Sequence, residues 1–191
     1  MSLNVPNLLT WQRILAIPLL VAVYLIPWDG WSIHSRNLVA TVIFVLAAIT
    51  DWFDGYLARR LGQQTAFGAF LDPVADKLLV CVALVMLLDL NRVTAGVASI
   101  IIGREIAISA LREWMATIGA RRSVAVSSVG KVKTVVQLIA IPLLLFHDRL
   151  FNVIDSQLLG TWLIYLAAIL TLWSMGYYLQ QAWPQLRAGG K

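Results

Sequence analysis

Apolar residues run in six long blocks along the chain, at roughly residues 8–28, 37–60, 70–90, 94–118, 128–147 and 158–183, with short polar breaks between them. The breaks have turn chemistry: Pro27-Trp28-Asp29-Gly30, Leu61-Gly62-Gln63-Gln64, Asp89-Leu90-Asn91-Arg92, Gly119-Ala120-Arg121-Arg122 and His147-Asp148-Arg149. Each block is close to the roughly 20 residues that cross a bilayer as a helix, and far longer than the roughly ten-residue alternating strands of a membrane barrel. Hydrocarbon tolerates only backbone whose hydrogen bonds are satisfied within the segment. The pattern therefore predicts an all-α, polytopic membrane protein of six transmembrane helices, forming one domain over residues 1–191. The first block is followed by no small-residue cleavage site and is expected to be retained rather than removed as a signal peptide.

Composition agrees: 60% of the residues are hydrophobic, 13% are charged, and the mean hydropathy is +0.79. The net charge of +5 does not point to nucleic acid, because Lys and Arg are scattered among apolar segments instead of forming a stripe. Their distribution does assign sidedness. With a cytoplasmic N-terminus, twelve of the fifteen Lys and Arg fall on the inner side or inner half, and only Arg36, Arg92 and Arg149 fall outside. Both termini and the chemistry are thus expected at the cytoplasmic face. Trp28 and Trp31 fall at the predicted outer boundary and Trp11 and Trp183 near the inner one, as interfacial anchors do. The single cysteine, Cys81, lies in an apolar run and has no partner for a disulfide within the chain.

Four carboxylates break the apolar pattern where the second block ends and the third begins: Asp51, Asp54, Asp72 and Asp76. Ionised carboxylates beside hydrocarbon are costly and need cations, water or a functional cavity. On helices, Asp51 and Asp54 share one face at a spacing of three, and Asp72 and Asp76 share another at a spacing of four. The short connection after Leu61 is expected to make the second and third helices antiparallel neighbours and bring both pairs to one depth. An all-oxygen set suits hard divalent ions, Mg²⁺ or Mn²⁺, and two such ions form the clamp used in phosphoryl transfer. Gly55 and Gly68 would let a ligand approach the backbone closely. Pro73 requires the third helix either to start or to bend near Asp72.

The stretch from Asp51 to Asp76 matches DxxDGxxARx8GxxxDxxxD at every fixed position, through Asp51, Asp54, Gly55, Ala58, Arg59, Gly68, Asp72 and Asp76. It resembles the CDP-alcohol phosphotransferase family. That resemblance implies a six-span helical domain, commonly a homodimer, which passes a substituted phosphate from a CDP-linked donor to an alcohol with release of CMP. It implies that Asp51, Asp54, Asp72 and Asp76 bind the metal ions, two in number. Asp76 would also be the base toward the acceptor hydroxyl, and Gly55, Ala58, Arg59 and Gly68, with Asn7 and Thr10, would border the CDP moiety.

Three further stretches, residues 4–13, 104–114 and 130–134, resemble the bacterial branch of that family that joins CDP-diacylglycerol to sn-glycerol 3-phosphate at the inner membrane. An acceptor phosphate needs cationic partners, and Arg104, Arg112, Lys131 and Lys133 are the candidates. Arg104 and Arg112 are eight apart, hence within about 80° around a helix. Lys131 and Lys133 are not on one face, so at most one of them faces the site, with a slight preference for Lys133. Anchoring at the inner face, or pairing with Glu105 and Glu113, is the structural alternative for this basic set. The competing functions are a related transferase with inositol phosphate, serine or phosphatidylglycerol as acceptor, and a cation-coupled membrane transporter. His34 and His147 fall at the outer boundary, away from the chemistry.

Overall fold

The structure is a computed structural model that describes residues 5–27, 29–61, 66–119, 128–150 and 153–188, without the side chains of 5–10, 51–61, 66–70, 128, 129, 186 and 188. Within these residues the chain forms six helices: α1 (Val5–Leu25), α2 (Ile33–Leu61), α3 (Ala66–Asp89), α4 (Ala95–Thr117), α5 (Ser128–Phe146) and α6 (Ser156–Ala188). Every apolar block has its helix. α2 over Ile33–Thr50 and α6 over Ser156–Gln185 are each long and apolar enough to cross a membrane, and α1 carries a shorter apolar stretch, Trp11–Leu25.

Two local expectations are refined. The chain is not wholly helical between α5 and α6: strands β1 (Arg149–Leu150) and β2 (Ile154–Asp155) pair antiparallel, Arg149 opposite Asp155 and Leu150 opposite Ile154. The ribbon seats the start of α6, where the Leu158 backbone N–H donates to Asp155 Oδ1 at 2.9 Å, satisfying one of the helix's orphan amides. Secondly, of the start or bend that Pro73 left open near Asp72, the start is excluded. Helix α3 begins at Ala66 and carries Pro73 inside it, where the proline ring removes one backbone hydrogen bond without ending the helix.

α5 packs along α6, α4 packs on α6, and α2 packs on α5. α1 lies against both α2 and α3, which touch each other much less among the described residues. The expected α2–α3 pairing is present among the described residues, with each of the two helices packing more on α1. All six helices contribute to one core, with Leu20, Phe44, Leu84, Ile101, Ile141 and Ile164 at its centre. Buried alanines such as Ala40, Ala47, Ala83, Ala140 and Ala168 bring the helices close, as small residues do between membrane helices. The outward faces are equally apolar: Leu38, Val42, Leu46 and Ile49 on α2, and Trp162, Leu166, Ile169 and Trp173 on α6, are exposed at helical spacing. Stripes of that length suit lipid and would be a liability in water.

The two ends of the bundle differ. At the far end, where α1 finishes and α2 begins, Arg92 donates to the carbonyls of Leu144 (3.0 Å) and Leu145 (2.8 Å) and to Asn37 Oδ1 (2.8 Å), which also accepts from the Tyr24 hydroxyl. His34 pairs with Asp148 at 2.7 Å beside the ribbon, and the Arg149 amide together with His34 holds the Asp148 carboxyl below its usual range. α4 ends with Ile118 N–H donating to Trp114 O and with Gly119 in the left-handed conformation, φ 74°, which closes the helix.

Helix α6 approaches α5 closely at Gly160, where a Cβ would stand 2.9 Å from Leu144 Cγ and 3.2 Å from Leu143 Cβ, whereas Gly176 on the same helix has nothing within 4 Å. Gly160→Ala is expected to destabilise the bundle by about 1–3 kcal/mol, and Gly176→Ala to leave stability equal or slightly higher. Thermal unfolding of the two variants in detergent measures this. Equal midpoints would contradict the packing of α5 on α6.

Candidate active site

A cavity of about 130 Å³ opens among α1, α2, α3, α4 and α5, at the end of the bundle where α3 and α5 begin. At roughly 30 Å³ per liquid water it has the room of about four waters, enough for a small polar group. Arg13 lines it from α1, Asp76 and Lys77 from α3, Glu105 from α4, and Lys133 and Gln137 from α5, while Ala47 and Ala48 of α2 give it a smooth wall.

Its charges form two clusters. In the first, Arg13 Nη1 donates to Asp76 Oδ1 at 2.6 Å. The arginine side chain is 1% exposed and the aspartate 42%, so the carboxylate reaches the open side while its partner is enclosed. In the second, Glu105 accepts from Lys133 Nζ and from Arg104 Nη1, the latter at 3.1 Å. Three charges meet there in a volume from which water is nearly excluded, which is tolerable only because the carboxylate lies between the cations.

A basic shelf continues from Arg104 along α4 and α6. Arg104 Nη2 donates to Ser174 Oγ at 3.0 Å, and Arg112 Nη2 donates to the Tyr178 hydroxyl at 2.8 Å. Both guanidinium groups lie over the Tyr178 ring, 5.5 Å and 5.0 Å from its centroid. Tyr178 is 1% exposed and is packed by Ile108, Met115 and Ala182, so the shelf is rigid. The eight-residue spacing of Arg104 and Arg112 thus sets them on one aromatic ring. Arg112 meets no carboxylate among the described residues, and the Nε atoms of Arg104 and Arg112 are buried without a hydrogen-bond partner there.

Of the residues singled out in the sequence, Asp72 and Asp76 lie one turn apart on α3, both partly buried. α2 runs unbroken through Asp51 and Asp54, giving them the shared face their spacing requires, but these side chains lie outside the described set. The side chains of Asn7, Thr10, Gly55, Ala58, Arg59 and Gly68 also fall outside it. Lys133 is buried on the cavity wall, whereas Lys131 is exposed and does not line it. Pairing with an acidic neighbour, the structural alternative for the basic set, holds for Arg104 and Lys133 through Glu105; Glu113 is exposed. Arg13, Glu105, Gln137 and Tyr178 are the site residues that sequence reasoning did not single out for chemistry. Arg13 carries the same signal as the aspartates, a charge inside an apolar run, and in the sequence counts only toward the sidedness of the basic residues.

As a metal centre the donor chemistry fits hard cations: Asp72 and Asp76, one turn apart on α3, offer carboxylate oxygens, and no His, Cys or Met lines the cavity among the described residues.

Residues 3–173 match the family model described as CDP-alcohol phosphatidyltransferase. Among curated proteins, the chain is 50% identical over 185 residues to the CDP-diacylglycerol–glycerol-3-phosphate 3-phosphatidyltransferase of Salmonella choleraesuis, covering 95% of this chain and 96% of that one. It is 49% identical, with the same coverage, to the proteins of that name from Shigella flexneri and Escherichia coli.

Replacing Glu105 with Gln strips the shared counter-charge from two buried cations. Thermal stability is expected to fall by about 3 kcal/mol and to recover in part when millimolar inorganic phosphate is added, because the anion takes the place of the carboxylate. Thermal unfolding with and without phosphate measures both effects, and a loss that phosphate leaves untouched would make the cluster structural only.

Proposed function

The chain belongs to the CDP-alcohol phosphatidyltransferase family, and from that premise we infer its reaction: transfer of the phosphatidyl group from CDP-diacylglycerol to sn-glycerol 3-phosphate, giving phosphatidylglycerophosphate and CMP. Identity to proteins of that activity runs nearly end to end, so the acceptor-binding half of the chain is covered as well as the acidic signature. The observation that carries the reading is the cavity that has Asp76 at one side and buried Lys133 at the other. It pairs a base for an attacking hydroxyl with a cation for the same molecule's phosphate. An uncharged polyol would bring no anionic group to Lys133 and Arg104, as a phosphorylated acceptor does.

In this mechanism Asp51, Asp54, Asp72 and Asp76 hold two divalent ions, Mg²⁺ or Mn²⁺. When bound, such ions neutralise the donor pyrophosphate and make its phosphorus more open to attack. Asn7, Thr10, Gly55, Ala58, Arg59 and Gly68 border the CDP moiety. Lys133, Arg104 and Arg112 receive the phosphate of the acceptor, with Lys131 outside that shell. Asp76 takes the proton from the acceptor hydroxyl as the new phosphate ester forms and the bond to CMP breaks. Arg13 orients Asp76 by holding Oδ1. Tyr178 keeps Arg104 and Arg112 facing the same way, so the acceptor meets a fixed pair of cations.

The apolar outer faces and the positive-inside bias support six membrane crossings, with both termini and the cavity at the cytoplasmic side of the bacterial inner membrane. CDP-diacylglycerol then reaches the site from the surrounding lipid while its nucleotide stays in the aqueous layer. A homodimer is the assembly we propose.

Purified protein given CDP-diacylglycerol and glycerol 3-phosphate is expected to release CMP and phosphatidylglycerophosphate only with Mg²⁺ or Mn²⁺, and chelation should stop it. Asp76→Asn is expected to slow turnover by about 10²–10⁴-fold while the protein stays folded; a nearly normal rate would remove Asp76 as the base. Arg112→Ala is expected to raise KM for glycerol 3-phosphate about tenfold or more, with KM for CDP-diacylglycerol little changed. Equal effects on both substrates would assign Arg112 to structure.

A further inference from the structure

Buried polar atoms in folded bundles nearly always have partners. On the wall of the cavity, Gln137 departs from that rule: it is 4% exposed, and its Oε1 has no hydrogen-bond partner among the described residues. It lies four residues beyond Lys133 on α5, so the two side chains project from the same face, with Gln137 one turn further into the bundle. Both line the space that Asp76 enters from α3.

We propose that Gln137 is a specificity residue that recognises the acceptor's second hydroxyl, the one on the carbon between the phosphate-bearing carbon and the carbon whose hydroxyl attacks. The proposal rests on the reaction inferred above. In that reaction the acceptor has its phosphate at Lys133 and Arg104 and its reacting hydroxyl at Asp76, which leaves the middle of a three-carbon chain to Gln137, since the other neutral polar side chain of the wall, Thr134, already donates its hydroxyl to Gly130 O. A hydroxyl both donates and accepts, so it complements a carboxamide whichever way the amide is turned. A site with a buried amide reserved for a hydroxyl discriminates strongly against an acceptor that lacks one, because the amide is then enclosed with nothing to bond.

The test compares sn-glycerol 3-phosphate with 3-hydroxypropyl phosphate, which keeps the phosphate and the reacting terminal hydroxyl and lacks only the middle one. CMP release is measured for the unaltered enzyme and for Gln137→Met, which keeps the side chain's length and removes its polar atoms. The unaltered enzyme is expected to prefer glycerol 3-phosphate by roughly tenfold or more in kcat/KM. In Q137M that preference should shrink to within about twofold, through loss of activity on glycerol 3-phosphate alone, with KM for CDP-diacylglycerol unchanged. Gln137→Ala, which adds no bulk, serves as the second variant if Q137M does not purify as a folded, monodisperse protein. Equal losses on both acceptors in a folded variant, or a preference that survives the substitution, would overturn the assignment while leaving the reaction intact. Failure of the unaltered enzyme to use glycerol 3-phosphate at all would overturn the reaction, and this assignment with it.

Discussion

A charge enclosed among apolar helices persists only where an opposite charge or several hydrogen bonds meet it, and at the site end of this bundle that requirement organises α1, α3, α4 and α5. Glu105 on α4 holds Lys133 of α5 and its own neighbour Arg104, and Arg13 of α1 holds Asp76 of α3. Each pair crosses or joins helices whose surroundings are otherwise Leu, Ile, Val and Ala. Leaving any of these ions unmatched would cost more than several apolar contacts return, so the pairs set how the helices sit around the cavity.

The two ends of the bundle meet that requirement with different partners. At the far end Arg92 is consumed by two backbone carbonyls and an asparagine, although His147 Nδ1 nearby is enclosed without a partner among the described residues. At the site end the pairing is incomplete: guanidinium Nε atoms on Arg104 and Arg112 and the amide oxygen of Gln137 are enclosed without partners among the described residues. The rigid seat of Tyr178, buried among α4 and α6 side chains, holds two arginines close together although their like charges repel.

Much of this was legible in the chain. Six apolar blocks with turn residues between them specify six helices because lipid and a helix core both select apolar side chains and because only helices satisfy their own backbone over such lengths. The element ends moved by a few residues, as at α4, expected over 94–118 and found at Ala95–Thr117. The start of α3 was less legible, since a proline marks a lost hydrogen bond without saying whether the helix begins there or continues past it. The short ribbon before α6 was not legible at all: two paired residues on each side give no periodicity to detect.

Spacing along a helix is a one-dimensional quantity, and the sequence by itself determined whatever depends on it: the helices, the shared faces of Asp51 with Asp54 and of Asp72 with Asp76, and the common side of Arg104 and Arg112. Through its acidic signature it also pointed to the family. Which residues meet across helices depends on rotation and depth, which no spacing encodes. Only the tertiary structure decided that α1 packs on both α2 and α3, that Arg13 answers Asp76, that Lys133 turns inward while Lys131 turns out, and that Glu105 and Gln137 belong to the same cavity.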